Sequence, residues 1–278
     1  LIEKLFHSAQ LSPFSFHRLL IQNFENPQIQ KIDDLTFSTN KIESLSIPYN
    51  IIELKEFWCD RTSMLNDILV PKNNHFFSFL NNSFLVGKAN QKSDIFDVLL
   101  FSRRDIKHVI IPPFISVISS YAFNECIQIE SIEFPENSQL TKIDMLAFNN
   151  SSINEIAIPS NVKTIGDDAF NDSQLKSIEF EPNSKLEFIG KSAFASNEHV
   201  HVTIPESVNF VSEFAFFDNE KLETVEFLGE FLTLGYSILG SASLASFPNA
   251  RKVTNFRVFT LGLSSDLILF INANATLD

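Results

Sequence analysis

Few side chains in this sequence have the type and spacing to do chemistry. His199 and His201 stand two apart in the run EHVHVT, which on one strand face would make half of a zinc site. No further His or Cys occupies the same position in the neighbouring segments, so no metal and no other cofactor is expected. Cys59 and Cys126 are the only cysteines, too few for a disulfide framework and expected as buried thiols. Gly87-Lys88 is followed by Ala89 and preceded by Asn82 where a phosphate loop needs glycine, so that match is accidental. Nothing places a nucleophile beside a base, and a non-catalytic protein is expected. Five N-x-[ST] sequons, at Asn81, Asn149, Asn150, Asn171 and Asn274, remain for glycosylation if the protein is secreted. Asn after an Ala-Phe pair also serves a turn through its tolerance of left-handed backbone.

The elements that position these residues are repeats. Aligning the Ala-Phe pairs gives Phe123, Phe148, Phe170, Phe194 and Phe216, spaced by 25, 22, 24 and 22 residues, a period that signals a solenoid. In LKSIEF, Ile178 and Phe180 alternate with Ser177 and Glu179, the period-2 pattern of a strand with one buried face. Pro112, Pro159 and Pro205 follow such strands and stop them, because proline cannot donate to a ladder. Val162 and Ile165 send two more apolar groups inward, and GDDAF turns the chain back. Stacking such coils predicts a parallel sheet on one wall and a column of Phe rings on the other, a core that no single unit could bury alone. The 30 Phe against one Trp and three Tyr fit a ring inserted at each coil. The cysteines stand two repeat steps apart, roughly 10 Å at about 4.8 Å per stacked strand, beyond bridging distance.

Residues 1–28 read as an N-terminal cap or partial repeat and 29–70 as repeats. Residues 71–105 read as an insertion carrying two β-rich runs, HFFSFLNNSFLVGK and DIFDVLLF, expected as a hairpin. Repeats resume over 106–247, and 248–278 reads as a C-terminal cap or partial repeat. Alternate units carry E-F-x-x-N-S where their neighbours carry I-P, which accounts for the alternating spacings. The uncharged run 231–250 holds Gly235, Gly240, Pro248 and several serines in register with the repeat, and is expected in the core rather than across a membrane. The chain begins at Leu1 and reads as a fragment. A net charge of −13 argues against a nucleic-acid partner, whose phosphates need clustered Lys and Arg.

The pattern I-x-I-P-x-x-V-x-x-I-x-x-x-A-F, preceded by L-x-x and with Cys126 three after Phe123, resembles the BspA-like leucine-rich repeats over residues 29 to about 247. The segment LVGK…DVLLFSRRDIKHVIIPPFISVISSYAF resembles the hairpin-containing part of protist surface members. The resemblance implies a β-rich leucine-rich-repeat solenoid with a parallel sheet on its concave face, short helical turns and one inserted hairpin. It also implies display outside the cell, and adhesion through a protein or glycan ligand on host cells or matrix; a structural or intracellular scaffold is the alternative. The chain departs from the pattern in the short KEFWC unit and at His199, where an aliphatic residue is expected. Solenoids bind through extended exposed faces, so candidate partner residues are the outward strand positions: Leu69 and Ile110 as an apolar spot beside the insertion, and Glu133, Glu155, Glu179, His201 and Glu226.

Overall fold

The computed structural model describes residues 30–33, 36–37, 42–239, 244–248, 252–254, 268–271 and 276–277. The expected N-terminal cap, 1–28, lies outside them. The described residues form a β-solenoid of about nine coils.

Each coil begins with a strand of the alternating motif. Glu155–Ile158 has the burial sequence exposed, buried, exposed, buried, which sends Ile156 and Ile158 inward. The proline after the strand sets a turn by accepting from the third residue on, as Pro159 O does from Val162 N at 3.0 Å and Pro112 O from Ile115 N at 3.0 Å. The V-x-x-I run that follows closes as a second strand, two residues long in Thr164–Ile165. Two walls of strands result.

The walls differ in continuity. The strands at the start of each coil, expected as one sheet, break into separate ladders: His108–Ile110 pairs with Ser131–Glu133 and Glu155–Ile158 with Ser177–Phe180, whereas His201–Ile204, Thr224–Phe227, Leu244–Phe247 and Ile268–Ile271 run on as one four-stranded sheet. Each pair joins an I-P unit to the longer E-F unit after it, and no ladder links Ser131–Glu133 to Glu155–Ile158. The short second strands from Val117–Ile118 onward instead run unbroken through an 11-stranded sheet that also takes in the insertion, while Lys31–Ile32 and Glu53–Leu54 pair apart from it. Toward the C-terminus Lys252–Thr254 and Ile268–Ile271 each extend one of the two walls.

Short helical turns were expected, but no helix occurs among the described residues, and the Ala-Phe segments form turns of another kind. Residues two before and two after each Phe take left-handed backbone, φ 52° at Asp168 and 53° at Asp172 around Phe170. Alternating handedness cannot propagate a helix. It turns every second N–H toward the next coil, so Leu146, Phe148 and Asn150 donate to Asp167, Ala169 and Asn171 carbonyls at 2.9, 2.8 and 2.9 Å. This third inter-coil ladder holds the coils so close that a Cβ on Gly166 would lie 2.6 Å from Met145 N.

Inside the turns the Phe rings stack. Phe123, Phe148, Phe170, Phe194 and Phe216 follow one another at centroid distances of 4.8, 5.0, 5.3 and 5.4 Å, with planes within 10°. Three residues after each ring runs a buried column of Cys126, Ser151, Ser173, Asn197 and Asn219. Asn197 donates to the Phe170 and Ala195 carbonyls at 2.7 and 2.9 Å, and accepts from Ser173 N and Leu175 N. Ser173, Asn197 and Asn219 thus satisfy backbone groups that the turns leave unpaired.

The insertion is internal to the stack. Its first run folds on itself through Asn81-Asn82, both at positive φ of 49° and 52°, the signs a type I′ hairpin requires. Ser78–Leu80 pairs antiparallel with Phe84–Gly87, and Phe84–Gly87 with Val98–Ser102, so the two runs make three strands. Phe84, Val86 and Leu99 face the larger core, while Leu85 and Phe101 face a smaller one holding Ile32, Phe37 and Trp58. Phe101 lies 5.8 Å from Trp58, and Phe84 6.2 Å from Phe123. The insertion therefore joins two stretches of solenoid.

Arg104 sits at that joint, 2 % exposed. Its guanidinium donates to Ala122 O at 3.1 Å, lies 4.4 Å from the Phe101 ring, and is flanked by Cys126 Sγ at 3.5 Å and Cys59 Sγ at 3.9 Å. Both thiols are free and fully buried. Burial pushes Cys59 up to about 12 against the pull of Arg104, and raises Cys126 in the same way. Because the thiolate is the reactive form, alkylation of both cysteines is expected to follow global unfolding in a denaturant series. Rapid labelling of the native protein would contradict this burial.

Candidate functional site

Alternation in the first-wall strands leaves every second side chain outside. Leu69 and Ile110 are each 65 % exposed; Glu133, Glu155, Glu179 and His201 are exposed, and Glu226 is half-buried. Register aligns Ile110 with Glu133, Ala157 with Glu179 and Thr203 with Glu226. In this column Glu133, Glu179 and Glu226 each stand beside an uncharged residue of the preceding strand. Acidic groups therefore recur every second coil, about 10 Å apart at the usual strand spacing. Leu69 and Ile110 lie on strands of separate pairs. Beside those strands, Asn66 Oδ1 accepts from the backbone N–H of Arg104 and Asp105 at 2.9 and 3.1 Å.

A second arrangement crosses from coil to coil. His108 Nδ1 lies 3.0 Å from Ser131 Oγ, and its Nε2 3.6 Å from Glu130 Oε2. The same set returns along the wall, with His201 Nδ1 2.6 Å from Thr224 Oγ1 and Nε2 3.9 Å from Glu223 Oε2. In the first set Lys107 Nζ also holds Glu130 Oε1 at 2.8 Å, which lowers the carboxyl below its ordinary range and raises the ammonium. At the second, Val200 stands where Lys107 stands. Beside Lys107 and Glu130 opens a cleft of about 350 Å³, lined by the exposed Ile127 and by Gln128, Ser152, Asn154 and Gln174. Ile127, Gln128, Ser152 and Gln174 were not singled out by sequence reasoning, since each precedes a strand and falls outside its alternation, whereas Asn154 is among the outward positions read along the strands.

His199 and His201 do not share a face. His201 opens the strand His201–Ile204 and is exposed, whereas His199 lies before it and is completely buried. Both ring nitrogens of His199 lack a hydrogen-bond partner, and burial lowers its pKa to about 4. Among the described residues no group of three or more His, Cys, Asp or Glu side chains converges as a metal site. Of the sequons, Asn149 and Asn171 have their amides engaged, with Asn171 O and Asp168 Oδ1; Asn81 sits on the exposed hairpin turn, and Asn274 lies outside the described residues.

A family model described as the BspA type leucine rich repeat region matches this sequence in six copies, over residues 7–86, 95–223 and 141–261. The chain belongs to this family. The repeats are thus BspA-type leucine-rich repeats, a fold that suggests a protein-interaction module. The solenoid is similar to the crystal structure of a leucine-rich repeat protein from Eubacterium ventriosum, with TM-score 0.63 and 17 % identity over 88 % of this chain. It is also similar to that of the pneumococcal vaccine antigen PcpA, with TM-score 0.52 and 18 % identity over 88 % of this chain. The match spans 66 % and 60 % of the length of those chains. At such identity the likeness concerns the fold alone. No curated protein matches the sequence. No helix among the described residues is long and apolar enough to cross a membrane.

Proposed function

We propose that this chain is a cell-surface adhesion module that binds a partner on host cells or matrix through the outward columns of its first wall. The observation that carries the reading is the row Glu133, Glu179 and Glu226, set on alternate coils beside uncharged neighbours. Carboxylates about 10 Å apart match a basic surface and discourage an acidic one. Leu69 and Ile110 supply exposed apolar area on the same wall, where burial against a partner is favourable at about 25 cal/mol per Å². Glu155 and His201 lie in the adjoining column. The description of one structural relative, PcpA, as a vaccine antigen supports location outside the cell.

Charge reversal at Glu179 and Glu226 tests the reading. The double variant E179K/E226K is expected to weaken capture of host cells or immobilised matrix protein severalfold, with the melting temperature unchanged. Unchanged capture would remove this wall as the binding face.

A further inference from the structure

We propose that the wall carries two half-sites for a first-row divalent transition ion such as Zn²⁺, at His201 with Glu223 and at His108 with Glu130. Imidazole coordinates a metal through one nitrogen when the other is fixed by a hydrogen-bonding partner, and here Nδ1 is held by Thr224 Oγ1 at 2.6 Å and by Ser131 Oγ at 3.0 Å. With Nδ1–H donated to that oxygen, Nε2 turns its lone pair toward a carboxylate oxygen 3.9 or 3.6 Å away. A divalent cation fits between two electron-rich atoms at that separation, in place of the proton that would otherwise join them. Ligand bonds of about 2.1 Å at the tetrahedral angle put nitrogen and oxygen about 3.4 Å apart. The 3.6 Å pair fits with little adjustment, and the 3.9 Å pair needs a small rotation of Glu223, which is 69 % exposed.

The constellation draws on adjacent coils: the imidazole opens one strand, the hydroxyl opens the next, and the carboxylate immediately precedes that hydroxyl. It therefore escapes any search along a single strand or column. Two protein ligands leave at least two positions for water or for a donor from another molecule, as in open rather than closed zinc sites. The half-sites differ in one respect. Lys107 Nζ occupies the Glu130 carboxylate at 2.8 Å and competes with a metal there by charge, whereas Val200 replaces it beside Glu223. The His201 half-site is the stronger of the two.

Zinc chloride titrated into the chain at pH 7.5, followed by the imidazole NMR signals, tests the assignment. The His201 signals are expected to move first and the His108 signals at higher zinc. H201A and E223Q should each abolish the first event, T224V should weaken it roughly tenfold through loss of the orienting bond, and K107A should bring the His108 event to lower zinc. All four positions are at the surface, and unchanged melting curves confirm folding. Zinc that moves neither signal, or that moves the His201 signals equally in E223Q, overturns the proposal and leaves an ordinary histidine–carboxylate contact.

Discussion

Replacing Phe170 with alanine is expected to cost about 3–5 kcal/mol of unfolding free energy, the usual range for emptying a phenylalanine site. The ring is completely buried, 5.0 Å from Phe148 and 5.3 Å from Phe194, with planes inclined by only 3° to each. Parallel rings at that centroid distance are offset stacks, the favourable arrangement for aromatic pairs, worth about 0.5–1.5 kcal/mol beyond burial. The void left by the substitution has little means of closing. Phe170 N is bonded to Ala193 O at 2.8 Å and Phe148 N to Ala169 O at 2.8 Å, and the second wall fixes Thr164 to Lys142 on one side and Phe188 on the other. With coil spacing set by backbone ladders, neighbouring rings cannot settle together, which favours the upper part of the range. Urea unfolding measures the loss; a value under 1 kcal/mol would mean that the ladders hold the stack without the rings.

The sequence made the coil legible because one side-chain type recurs at each inward position. Ile156, Ile158, Val162, Ile165 and Phe170 are all buried, as alternation, proline punctuation and the Ala-Phe pair require. It did not reveal how the coils pair. The break between Ser131–Glu133 and Glu155–Ile158 accompanies the two extra residues of E-F-x-x-N-S units, an alternation visible as unequal spacing but silent about hydrogen bonds. The turn ladder was hidden for another reason. Of its left-handed positions, Tyr121, Glu125, Leu146, Ser192, Ser196 and Phe214 are not the Gly, Asn or Asp by which such backbone is recognised. Geometry imposed by stacking overrides local preference there, at a cost of order 1–2 kcal/mol per residue, which inter-coil hydrogen bonds offset.

The candidate site divides in the same way. Leu69, Ile110, Glu133 and Glu179 could be read outward from period-2 alternation within one strand. The His201, Thr224 and Glu223 set could not, because its members are brought together only by the parallel register of His201 on Thr224. The Arg104 guanidinium between Cys59 and Cys126 likewise depends on the insertion's lying inside the stack. Nothing in the run SRRD marks Arg104 as buried and Arg103 as paired with Asp105 at 2.7 Å.

His199 is the residue through which acidity is expected to act on this fold. The equivalent positions in neighbouring coils, Ile153, Leu175 and Leu222, are buried aliphatic residues, and the imidazole takes the same place beside the edge of the Phe194 ring, 6.2 Å away. No charge stands against it: burial is the sole cause of its shift, to about 4, and the charged Glu198, Lys221 and Glu223 nearby pair at the surface with one another or with His201. The folded pKa is therefore below the unfolded value of about 6.5. The folded chain holds the ring neutral while the unfolded chain takes up a proton as pH falls through 6.5. Stability is thus fully present above that pH and declines down to about pH 4, by about 3 kcal/mol in all. Glu130 and Glu198, held low by Lys107 and Lys221, also lose stabilisation on acidification, but mainly below about pH 4.3, where free carboxyls titrate. H199L separates the two effects. It should flatten the stability profile between pH 6.5 and 4.5 and raise stability at pH 7 by about 1–3 kcal/mol, the cost of burying polar atoms without partners. Equal slopes for the two proteins in urea unfolding across that window would show that the imidazole is hydrated or bonded in solution, and would remove His199 as the source of acid sensitivity.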